Sequence, residues 1–578
     1  MQRWPRWAPL AAAILLAVPA LASSPTLTLT ITEADAQPTH AWQPFDAYPV
    51  KLYDIDGDGR KEIIDHNDNK YVYILDSATG ELLTELTTTF PAGWEARTIN
   101  GVEVQVMQPG APPSLIVGNS AAYITRFDYN ASASTATNFV FDEKWERRLN
   151  DYTANPGMDA KPVLHDVDYT HVYEIYAQVE EQGVFALRAN GTVIWKHNAS
   201  GGNAEPVIAD VDLDGHLEAL FFSDSGLVRV YTAKTGAAEW TFDATSYISA
   251  PASIPRGGTV AQLDGSGRRE VVFCARDAHD ANNWDNDHMA LFVLQNDDND
   301  AWGNLKWMRQ PSWANPLCYT RPVVWDDDGD GKADIYGMDW NTEGHFPGNW
   351  SRLGPAHVFS FDRSGNERWN TTLDTWWSNK DIALADLDGD GSAEVLASGP
   401  NDAGHDGWWL LNPATGAQEQ FIDVDPYKST RAPRVGDLDG DGDLEFVAPV
   451  EGEAGNTNPG EGAFQVWDAG PDSHLLLWSG GEDKYAGVWP FKASFAPHAD
   501  SNQYYVKVKV TSFHKVVKAW YSVDDGGWLT LNHLATGASW TYWDQNQNVN
   551  IPDGSDVRFK AEDDKGKQLT SGLFTWPV

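Results

Sequence analysis

The sequence predicts an all-β fold: an eight-bladed β-propeller followed by a small C-terminal β-sandwich, with a seven-bladed propeller as the alternative. Two observations predict this fold. An Asp-rich loop recurs along the chain, and each copy is followed by short strand-like runs that end at glycine turns. The loops are about 44–64 residues apart, which is the spacing of propeller blades. Each repeat therefore predicts four antiparallel strands.

Five copies of the loop are complete, and we number them by the predicted blade that holds them. Loop 1 reads DIDGDGRKE from residue 54, loop 4 DVDLDGHLE from 210, loop 6 DDDGDGKAD from 326, loop 7 DLDGDGSAE from 386 and loop 8 DLDGDGDLE from 437. Each has Asp at positions 1, 3 and 5, and Asp or Glu at position 9. The other interpretation of such a loop is an Asp-Gly turn without metal.

This spacing suits calcium, because alternate residues of a tight loop point carboxylate oxygens at one centre and Ca²⁺ takes about six to eight oxygens. Mg²⁺ fits less well, because it demands a smaller octahedral site. We predict about five Ca²⁺ sites, with these ligands: Asp54, Asp56, Asp58, Glu62, Asp210, Asp212, Asp214, Glu218, Asp326, Asp328, Asp330, Asp334, Asp386, Asp388, Asp390, Glu394, Asp437, Asp439, Asp441 and Glu445.

Three further repeats have degenerate loops, and we expect these to bind metal weakly or not at all. Loop 3 at 166–174 keeps Asp166, Asp168 and Glu174. Loop 5 at 262–270 keeps Asp264 and Glu270, and loop 2 near 106–114 has no acid. An alternating run at 26–33 predicts a strand that closes the ring or pairs with the last domain.

The loops DIDGDGRKE, DLDGDGSAE and DLDGDGDLE, each with a strand after it, resemble the FG-GAP or VCBS repeats of integrin-α-like propellers. The resemblance covers most of the chain and implies a propeller with bound calcium. It implies no single function, because such propellers serve adhesion, scaffolding and catalysis alike. Loop 7 followed by HDGWWLLNPATG also resembles the propeller of rhamnogalacturonan lyases, polysaccharide lyase family 11, although no catalytic position carries over.

The net charge of −42 argues against nucleic acid as a partner, because a phosphate backbone needs a basic face. It argues equally against electrostatic binding to an anionic membrane. The N-terminus reads as a signal peptide over residues 1–22, with Arg3 and Arg6 before an apolar run and a small-residue cleavage site at 20–22. We therefore expect a secreted or cell-surface protein without membrane insertion.

We expect a propeller over residues 23–487 and an accessory β-sandwich over 488–578. Long loops rich in Trp, His, Asn and Asp lie on the predicted face opposite the Asp loops. Their aromatic rings could stack on sugars or could pack between blades. The candidate ligand-binding residues are His279, Trp284, His288, Arg321, Trp340, His345, Trp376, Lys380, His405 and Arg431, with Trp528 and Trp540 in the C-terminal module.

Three of the candidates, Arg321, Lys380 and Arg431, precede first strands, so we expect them to converge near the mouth of the central channel. The histidines His279, His288, His345 and His405 are candidate bases for β-elimination.

Three functions stay open at this point. The first is binding of an extracellular polysaccharide or glycoprotein, the second is a polysaccharide lyase acting on an acidic polysaccharide, and the third is a structural adhesin or filament subunit. The sequence decides neither whether the protein is an enzyme nor its oligomeric state. It also leaves open whether the two cysteines, Cys274 and Cys318, form a disulfide.

Overall fold

The computed structural model describes most of the repeats and parts of the C-terminal module. The described residues are 24–36, 50–66, 70–90, 98–149, 158, 160–168, 170, 172–179, 183–199, 201–202, 204–212, 216–248, 252–261, 263, 269–277, 289–295, 303–312, 316–318, 320–325, 327, 332–341, 356–373, 382–388, 393–401, 405–424, 427–429, 433–441, 443–451, 463–470, 473, 476–478, 493–499, 506–512, 516–523, 528–535, 540–543, 556–563, 568–570 and 574–575.

The chain begins with strand β1 (Thr26–Thr32) and a single helical turn, α1 (Glu33–Ala36). Consecutive sheets of antiparallel strands follow, and we call them blades. Blade 1 contains β2 (Lys51–Tyr53), β3 (Glu62–His66), β4 (Tyr71–Leu75) and β5 (Leu82–Thr87). Blade 2 contains β6 (Ile99–Val106), β7 (Pro113–Asn119), β8 (Tyr123–Tyr129) and β9 (Phe141–Arg148). Blade 3 contains β10 (Val163–His165), β11 (Glu174–Val179), β12 (Gly183–Leu187) and β13 (Val193–His197).

Blade 4 contains β14 (Val207–Ala209), β15 (Glu218–Phe222), β16 (Leu227–Thr232) and β17 (Ala238–Asp243), followed by a 3₁₀ turn at Ala244–Ser246. Blade 5 contains β18 (Ala252–Ser253), β19 (Gly258–Ala261), β20 (Glu270–Asp277), β21 (Met289–Gln295) and β22 (Asn304–Arg309). Blade 6 contains β23 (Pro316–Cys318), β24 (Val323–Trp325), β25 (Asp334–Asn341), β26 (Ala356–Phe361) and β27 (Glu367–Leu373).

Blade 7 contains β28 (Ala383–Ala385), β29 (Glu394–Ser398), β30 (Gly407–Leu411) and β31 (Gln418–Asp423). Blade 8 contains β32 (Lys428–Ser429), β33 (Arg434–Gly436), β34 (Glu445–Glu451) and β35 (Ala463–Asp468). A short strand, β36 (Leu476–Trp478), pairs with β28 at the edge of blade 7. The all-β propeller class predicted from the repeats is confirmed.

The N-terminal strand closes the ring. β1 pairs antiparallel with β35 from Thr26 opposite Asp468 to Thr32 opposite Ala463, and so supplies the outer strand of blade 8. Ile31 of β1 is fully buried in a cluster that also holds Ile63 of blade 1. The first and last blades are thereby joined through a strand from the beginning of the described chain.

Every neighbouring pair of blades shares a buried apolar cluster, and a cluster of the same kind links blade 8 back to blade 1. The second strand of blade 4, Glu218–Phe222, shows the consequence, because all five of its residues are buried. Continuous apolar runs of this length are expected where a strand is covered on both faces. The clusters therefore lie between the blades, and this is where the core sits.

A tryptophan and a glycine turn join successive blades. Trp195 at the outer strand of blade 3 packs on Gly236 in the turn of blade 4, and its Nε1 donates to the carbonyl of Ala233 at 2.8 Å. The arrangement recurs, with the indole of one blade lying against the turn glycine of the next in each of these further pairs: Trp145 with Gly191, Trp240 with Gly303, Trp307 with Gly365 and Trp369 with Gly416. These tryptophans are structural, so the packing interpretation holds for them.

We expect Gly236→Ala to destabilise the protein by about 2–6 kcal/mol, because two costs add. Gly236 has a φ of +72°, and an added Cβ would lie 2.6 Å from Cγ of Trp195. A left-handed non-glycine residue costs about 1–3 kcal/mol and overpacking about as much. Gly110 is the matched control, with a φ of +77° and nothing within 4 Å of the added carbon. Thermal unfolding checks this, and equal losses for the two variants would contradict the packing role.

The C-terminal strands form a sheet of their own. They are β37 (Ala493–Ala499), β38 (Val506–Ser512), β39 (Val516–Val523), β40 (Leu529–Ala535), β41 (Trp540–Trp543), β42 (Asp556–Asp563), β43 (Gln568–Thr570) and β44 (Phe574–Thr575). They pair in the order β37-β38-β41-β40-β39-β42-β43, with β44 also beside β42. The division at residue 487 and the sandwich packing stay predictions.

The structure also settles how the cysteines are used. Cys274 in β20 is disulfide-bonded, and Cys318 in β23 is the one other cysteine of the sequence. No helix in the described part of the chain is long and apolar enough to cross a membrane.

Candidate metal centres and ligand surfaces

Each Asp loop joins two consecutive, paired strands at the same place in its blade, as β2 to β3 in blade 1 and β33 to β34 in blade 8, so the loops lie on one face of the ring. Within the described residues, four of them bring three acidic side chains together with ligand atoms within 4.8 Å of one another. Loop 1 contributes positions 1, 3 and 5, and the others positions 1, 3 and 9. The four clusters are Asp54, Asp56 and Asp58; Asp210, Asp212 and Glu218; Asp386, Asp388 and Glu394; and Asp437, Asp439 and Glu445.

Backbone N–H groups of the loop hold the aspartates in place. In loop 1, Gly57 N donates to Asp54 Oδ1 at 2.7 Å and Gly59 N to Asp54 Oδ2 at 3.1 Å. Loop 8 repeats the first bond, from Gly440 N to Asp437 Oδ1 at 2.7 Å. Such short-range bonds fold the loop back on itself, so the carboxylates of positions 1, 3 and 5 stay close to one another.

The acid at position 9 has a second role, which the spacing of the acids does not predict. In blade 4, the backbone N–H of Val211 at position 2 donates to Glu218 Oε2 at 2.8 Å. The same bond occurs in five more blades, with these donors and acceptors: Ile55 and Glu62, Val167 and Glu174, Leu263 and Glu270, Leu387 and Glu394, and Leu438 and Glu445. Because degenerate loops 3 and 5 keep it, this bond closes the loop independently of metal.

Burial makes these glutamates costly to ionise, and the neighbouring aspartates add to the cost. Burial raises the pKa of Glu218 to about 9 against the opposing hydrogen bond from Val211, and it raises the pKa of Glu62 to about 8. The pKa of Glu445 is raised to about 7 for the same reason. A divalent cation between the glutamate and its aspartates would offset both burial and repulsion, so this donor set fits a hard cation.

Three of the other loops carry a protein cation beside their acids. In loop 5, Lys306 Nζ lies 2.7 Å from Oε1 of the buried Glu270. In loop 3, Lys234 Nζ lies 3.3 Å from Asp168 Oδ2. In loop 6, Arg368 lies 2.7 Å from Asp334 and 2.9 Å from Asp327.

Loop 6 differs from the other complete loops at its position-9 acid. Asp334, which we expect to be a calcium ligand, is paired with Arg368, and its role as a ligand stays a prediction. An aspartate at position 9 is one methylene shorter than the glutamate of the other loops, and position 2 is the acidic Asp327 instead of an apolar residue. The guanidinium fills the space between the two carboxylates.

Five other predicted metal ligands lie outside the described residues: Asp214, Asp326, Asp328, Asp330 and Asp390.

Neighbouring loops touch where the ring closes. Lys61 at position 8 of loop 1 donates through its backbone N to Leu438 O at 2.7 Å, and through Nζ to Asp437 O at 2.5 Å. Both acceptors belong to loop 8. A Cβ on Gly440 of loop 8 would lie only 2.5 Å from Gly59 O of loop 1. Two acidic clusters therefore flank the seam between the first and last blades.

Most of the predicted ligand-binding residues lie outside the described part of the chain: His279, Trp284, His288, His345, Trp376, Lys380 and Arg431. Trp340 and Trp540 lie in β25 and β41, and their side chains are outside the description as well.

Arg321 is described, and it is buried. We expected it near the mouth of the central channel as a ligand-binding residue; its side chain is 3% exposed and its Nη2 lies 3.5 Å from Glu205. It ends a chain of buried ion pairs that continues from Glu205 to Lys161 at 3.4 Å and from Lys161 to Glu103 at 2.8 Å. The sequence offered a signal for this network, a Pro-Val pair after Lys161, Glu205 and Arg321 alike.

His405 and Trp528 are the described candidates that solvent reaches. His405 Nδ1 lies 2.8 Å from Asp423 Oδ2, and both side chains are about half exposed. Trp528 is 39% exposed and lies just before β40, on the C-terminal sheet. These two residues lie in different parts of the fold, one in blade 7 and one in the C-terminal module.

Comparison with known proteins bears on blades 7 and 8. Residues 386–448 match the family model for the FG-GAP-like repeat. This chain carries an FG-GAP-like repeat. The FG-GAP-like repeat begins at loop 7 and ends within β34 of blade 8, so it includes two of the four acidic clusters. This match confirms the resemblance of the Asp loops to FG-GAP repeats. No curated protein matches the sequence.

Solved structures with similar folds were also found. BamB from Moraxella catarrhalis is 14% identical, with 77% of this chain and 98% of that chain covered and a TM-score of 0.39. The V. cholerae biofilm matrix protein Bap1 is 14% identical, with coverages of 81% and 93% and a TM-score of 0.35. A europium-containing methanol dehydrogenase is 11% identical, with coverages of 77% and 93% and a TM-score of 0.46. Likenesses at this level carry no argument about function.

Proposed function

We propose that this protein is a secreted, calcium-stabilised β-propeller that binds an extracellular polysaccharide or glycoprotein. The proposal that the propeller binds calcium is supported by the four acidic clusters on one face of the ring. Carboxylate-rich oxygen sites are the ligand sets that calcium prefers. The proposed ligands are the members of these clusters together with Glu62 and Asp441 of loops 1 and 8.

The loops that hold calcium are bound into the scaffold, so binding is assigned to other surfaces. Position-9 glutamates bond backbone N–H groups within their own loops, and loops 1 and 8 bond each other. Calcium would neutralise repulsion there and stiffen the ring. The exposed residues that suit a glycan, His405 and Trp528, lie outside these loops.

A direct test is to measure binding of the full chain to a panel of neutral and acidic polysaccharides by calorimetry, with calcium present. We expect saturable binding to at least one polysaccharide. Absence of binding to the whole panel would contradict the proposal, whatever the effect of calcium on stability. Glycopeptides of matched sugar content belong to the same panel, because a glycoprotein is the other ligand proposed.

One observation favours a second function, that of a polysaccharide lyase. The Asp423 carboxylate lies 2.8 Å from Nδ1 of His405 and orients the imidazole, and a histidine held by a carboxylate is a common general base. In β-elimination the imidazole would take the proton from C5 of a uronate, the electron pair would form the C4–C5 double bond, and the C4–O4 bond would break with O4 leaving. The resemblance to rhamnogalacturonan lyases points to the same reaction.

If the lyase function holds, His405→Ala should lower the rate of formation of unsaturated products by about 100-fold or more, as followed by ultraviolet absorbance. Asp423→Asn should lower it by a smaller factor. Asp142→Asn is the control, because Asp142 is an equally exposed carboxylate that pairs with Lys144 in blade 2. If His405→Ala forms unsaturated products as fast as the unchanged protein, the base is a different residue. If no acidic polysaccharide gives unsaturated products, the protein is not a lyase.

A further inference from the structure

The solvent face of the C-terminal sheet carries two indoles and a lysine between them. Trp520 on β39 lies directly opposite Lys560 on β42 and opposite Thr530 on β40. Lys560 Nζ lies 4.6 Å from the ring centroid of Trp528 and 5.2 Å from that of Trp520. We call the surface formed by Lys518, Trp520, Trp528, Thr530 and Lys560 the indole–lysine face.

This face is separate from the core of the module. Strand residues alternate, so the neighbours of Trp520 and Lys560 point the other way. Ala519, Tyr521 and Phe559 on that other side are fully buried. The indoles are therefore not needed to fill this core. Trp528 and the adjacent Leu529 are 39% and 49% exposed, and they are two of the four large hydrophobic side chains exposed within the described residues.

Lysine contacts hold the indoles in a fixed arrangement. Lys560 contacts both rings, and Lys518 Nζ lies 6.0 Å from the centroid of Trp520 and 2.5 Å from Oε1 of Glu562. Cation–π contacts of this kind are worth about 0.5–1 kcal/mol at exposed sites, and they restrict both partners before any ligand arrives. A preformed site loses less entropy on binding.

Charge separates this module from the propeller. Residues 488–578 contain nine Lys and Arg and nine Asp and Glu, so the net charge of −42 lies entirely in the preceding residues. An anionic polymer is repelled by the propeller and meets a neutral module in which Lys518, Lys560 and the neighbouring Arg558 share one face. Electrostatic complementarity thus directs an anion to this face.

The combination of exposed indoles and lysines selects among anions. The flat indole faces suit the C–H face of a pyranose ring, and an ammonium donates charge-assisted hydrogen bonds to a carboxylate. From Lys518 to Ser522, β39 extends about 13 Å, which is longer than one sugar. A nucleic acid would bring a denser line of charge against a strongly acidic protein.

We propose that the indole–lysine face binds a uronate-containing polysaccharide, with Trp520 and Trp528 contacting the sugar rings and Lys560 and Lys518 contacting the uronate carboxylates. This rests on the proposed function, because it names the ligand class and the surface for a protein proposed to bind a glycan. It places the ligand on the module and leaves the propeller as the calcium-stabilised scaffold.

The test measures binding of the full chain to short oligogalacturonates and to the same oligomers with methyl-esterified carboxyls. We expect the free acid to bind more tightly, and its affinity to fall as sodium chloride is raised. Lys560→Gln should weaken binding of the free acid about fivefold and leave the ester nearly unchanged. Trp528→Ala should weaken binding of both about tenfold.

Lys144→Gln is the matched control, because it removes the same charge from an exposed site in blade 2. Lys560→Arg keeps the charge and should keep most of the affinity. A thermal unfolding measurement on each variant checks that it folds. Equal binding of acid and ester, equal effects of Lys560→Gln and Lys144→Gln, or preferential binding of single-stranded DNA would overturn the proposal. Glycan binding that Lys560→Gln and Trp528→Ala leave intact would overturn the face alone and keep the proposed function.

Discussion

Removing calcium should lower the midpoint of thermal unfolding on the order of 10 °C or more. Four acidic clusters gather carboxylates on one face of the ring, and without a cation their repulsion and burial oppose folding. A site filled at about 100-fold over its dissociation constant contributes about 2.7 kcal/mol. Calorimetric unfolding in calcium and after chelation measures the difference. An unchanged midpoint after chelation would contradict the calcium assignment.

The stability lost on removing calcium should be the sum of separate contributions from individual loops. Asp388→Asn removes a ligand from loop 7, where all three acids are buried, and we expect it to reduce the number of bound calcium ions by one and to lower the midpoint. Asp168 occupies the same position in loop 3 and pairs with Lys234, so Asp168→Asn is the matched control. Calorimetric titration gives the number of ions bound by each variant. If Asp388→Asn keeps full stoichiometry, loop 7 is not a site.

The seam between the first and last blades should respond most to calcium. Lys61 joins loop 1 to loop 8, and the two loops carry adjacent acidic clusters. The strand pair β1–β35 covers the same junction. The chain does not run on from blade 8 to blade 1, so this junction is held by contacts between strands and loops. Bound calcium would support those contacts on the face that carries the Asp loops. Hydrogen exchange after chelation should therefore rise there first.

Replacing Arg368 by methionine should destabilise the protein by about 3–5 kcal/mol, which is the usual cost of breaking a buried ion pair on one side. The side chain of Asp327 is 2% exposed and that of Asp334 15% exposed, and Arg368 contacts both. Without the guanidinium, the buried carboxylate of Asp327 and the partly buried one of Asp334 would both lose their cation. Denaturant unfolding measures the loss.

Two comparisons sharpen this prediction. Arg188→Met, at an exposed arginine in blade 3, should change stability by less than about 0.5 kcal/mol. The loss from Arg368→Met should also persist after chelation, since the pairing uses no metal. A variant that binds an additional calcium ion at full stability would mean that Asp334 serves as a metal ligand and does not depend on Arg368.

Repetition made the scaffold predictable from sequence. The Asp loop, a run such as EALFF and a glycine turn recur together, and each belongs to one blade, so local sequence carried the information. The terminal strand 26–33 was predicted on alternation alone, and the structure places it in blade 8. Tryptophans such as Trp195 were ambiguous, because a sequence does not say whether an indole faces a neighbouring blade or solvent.

The ion pairs were beyond sequence reasoning for a physical reason. Arg368 and Asp327 are 41 residues apart, and Arg321 and Glu205 are 116 apart. Only closure of the blades and of the ring brings them within a few ångströms. The same holds for Lys560, which reaches Trp528 because β39, β40 and β42 lie side by side.

The sequence by itself therefore determined the all-β class, the repeat and the acids that could hold calcium, because the residues of one loop are local and their spacing sets which oxygens converge. The tertiary structure decided how those acids are used. It gave the position-9 glutamates a backbone partner, supplied protein cations to loops 3, 5 and 6, and buried Arg321 in a network of charges. Those outcomes depend on contacts between strands far apart in the chain, which residue spacing does not encode.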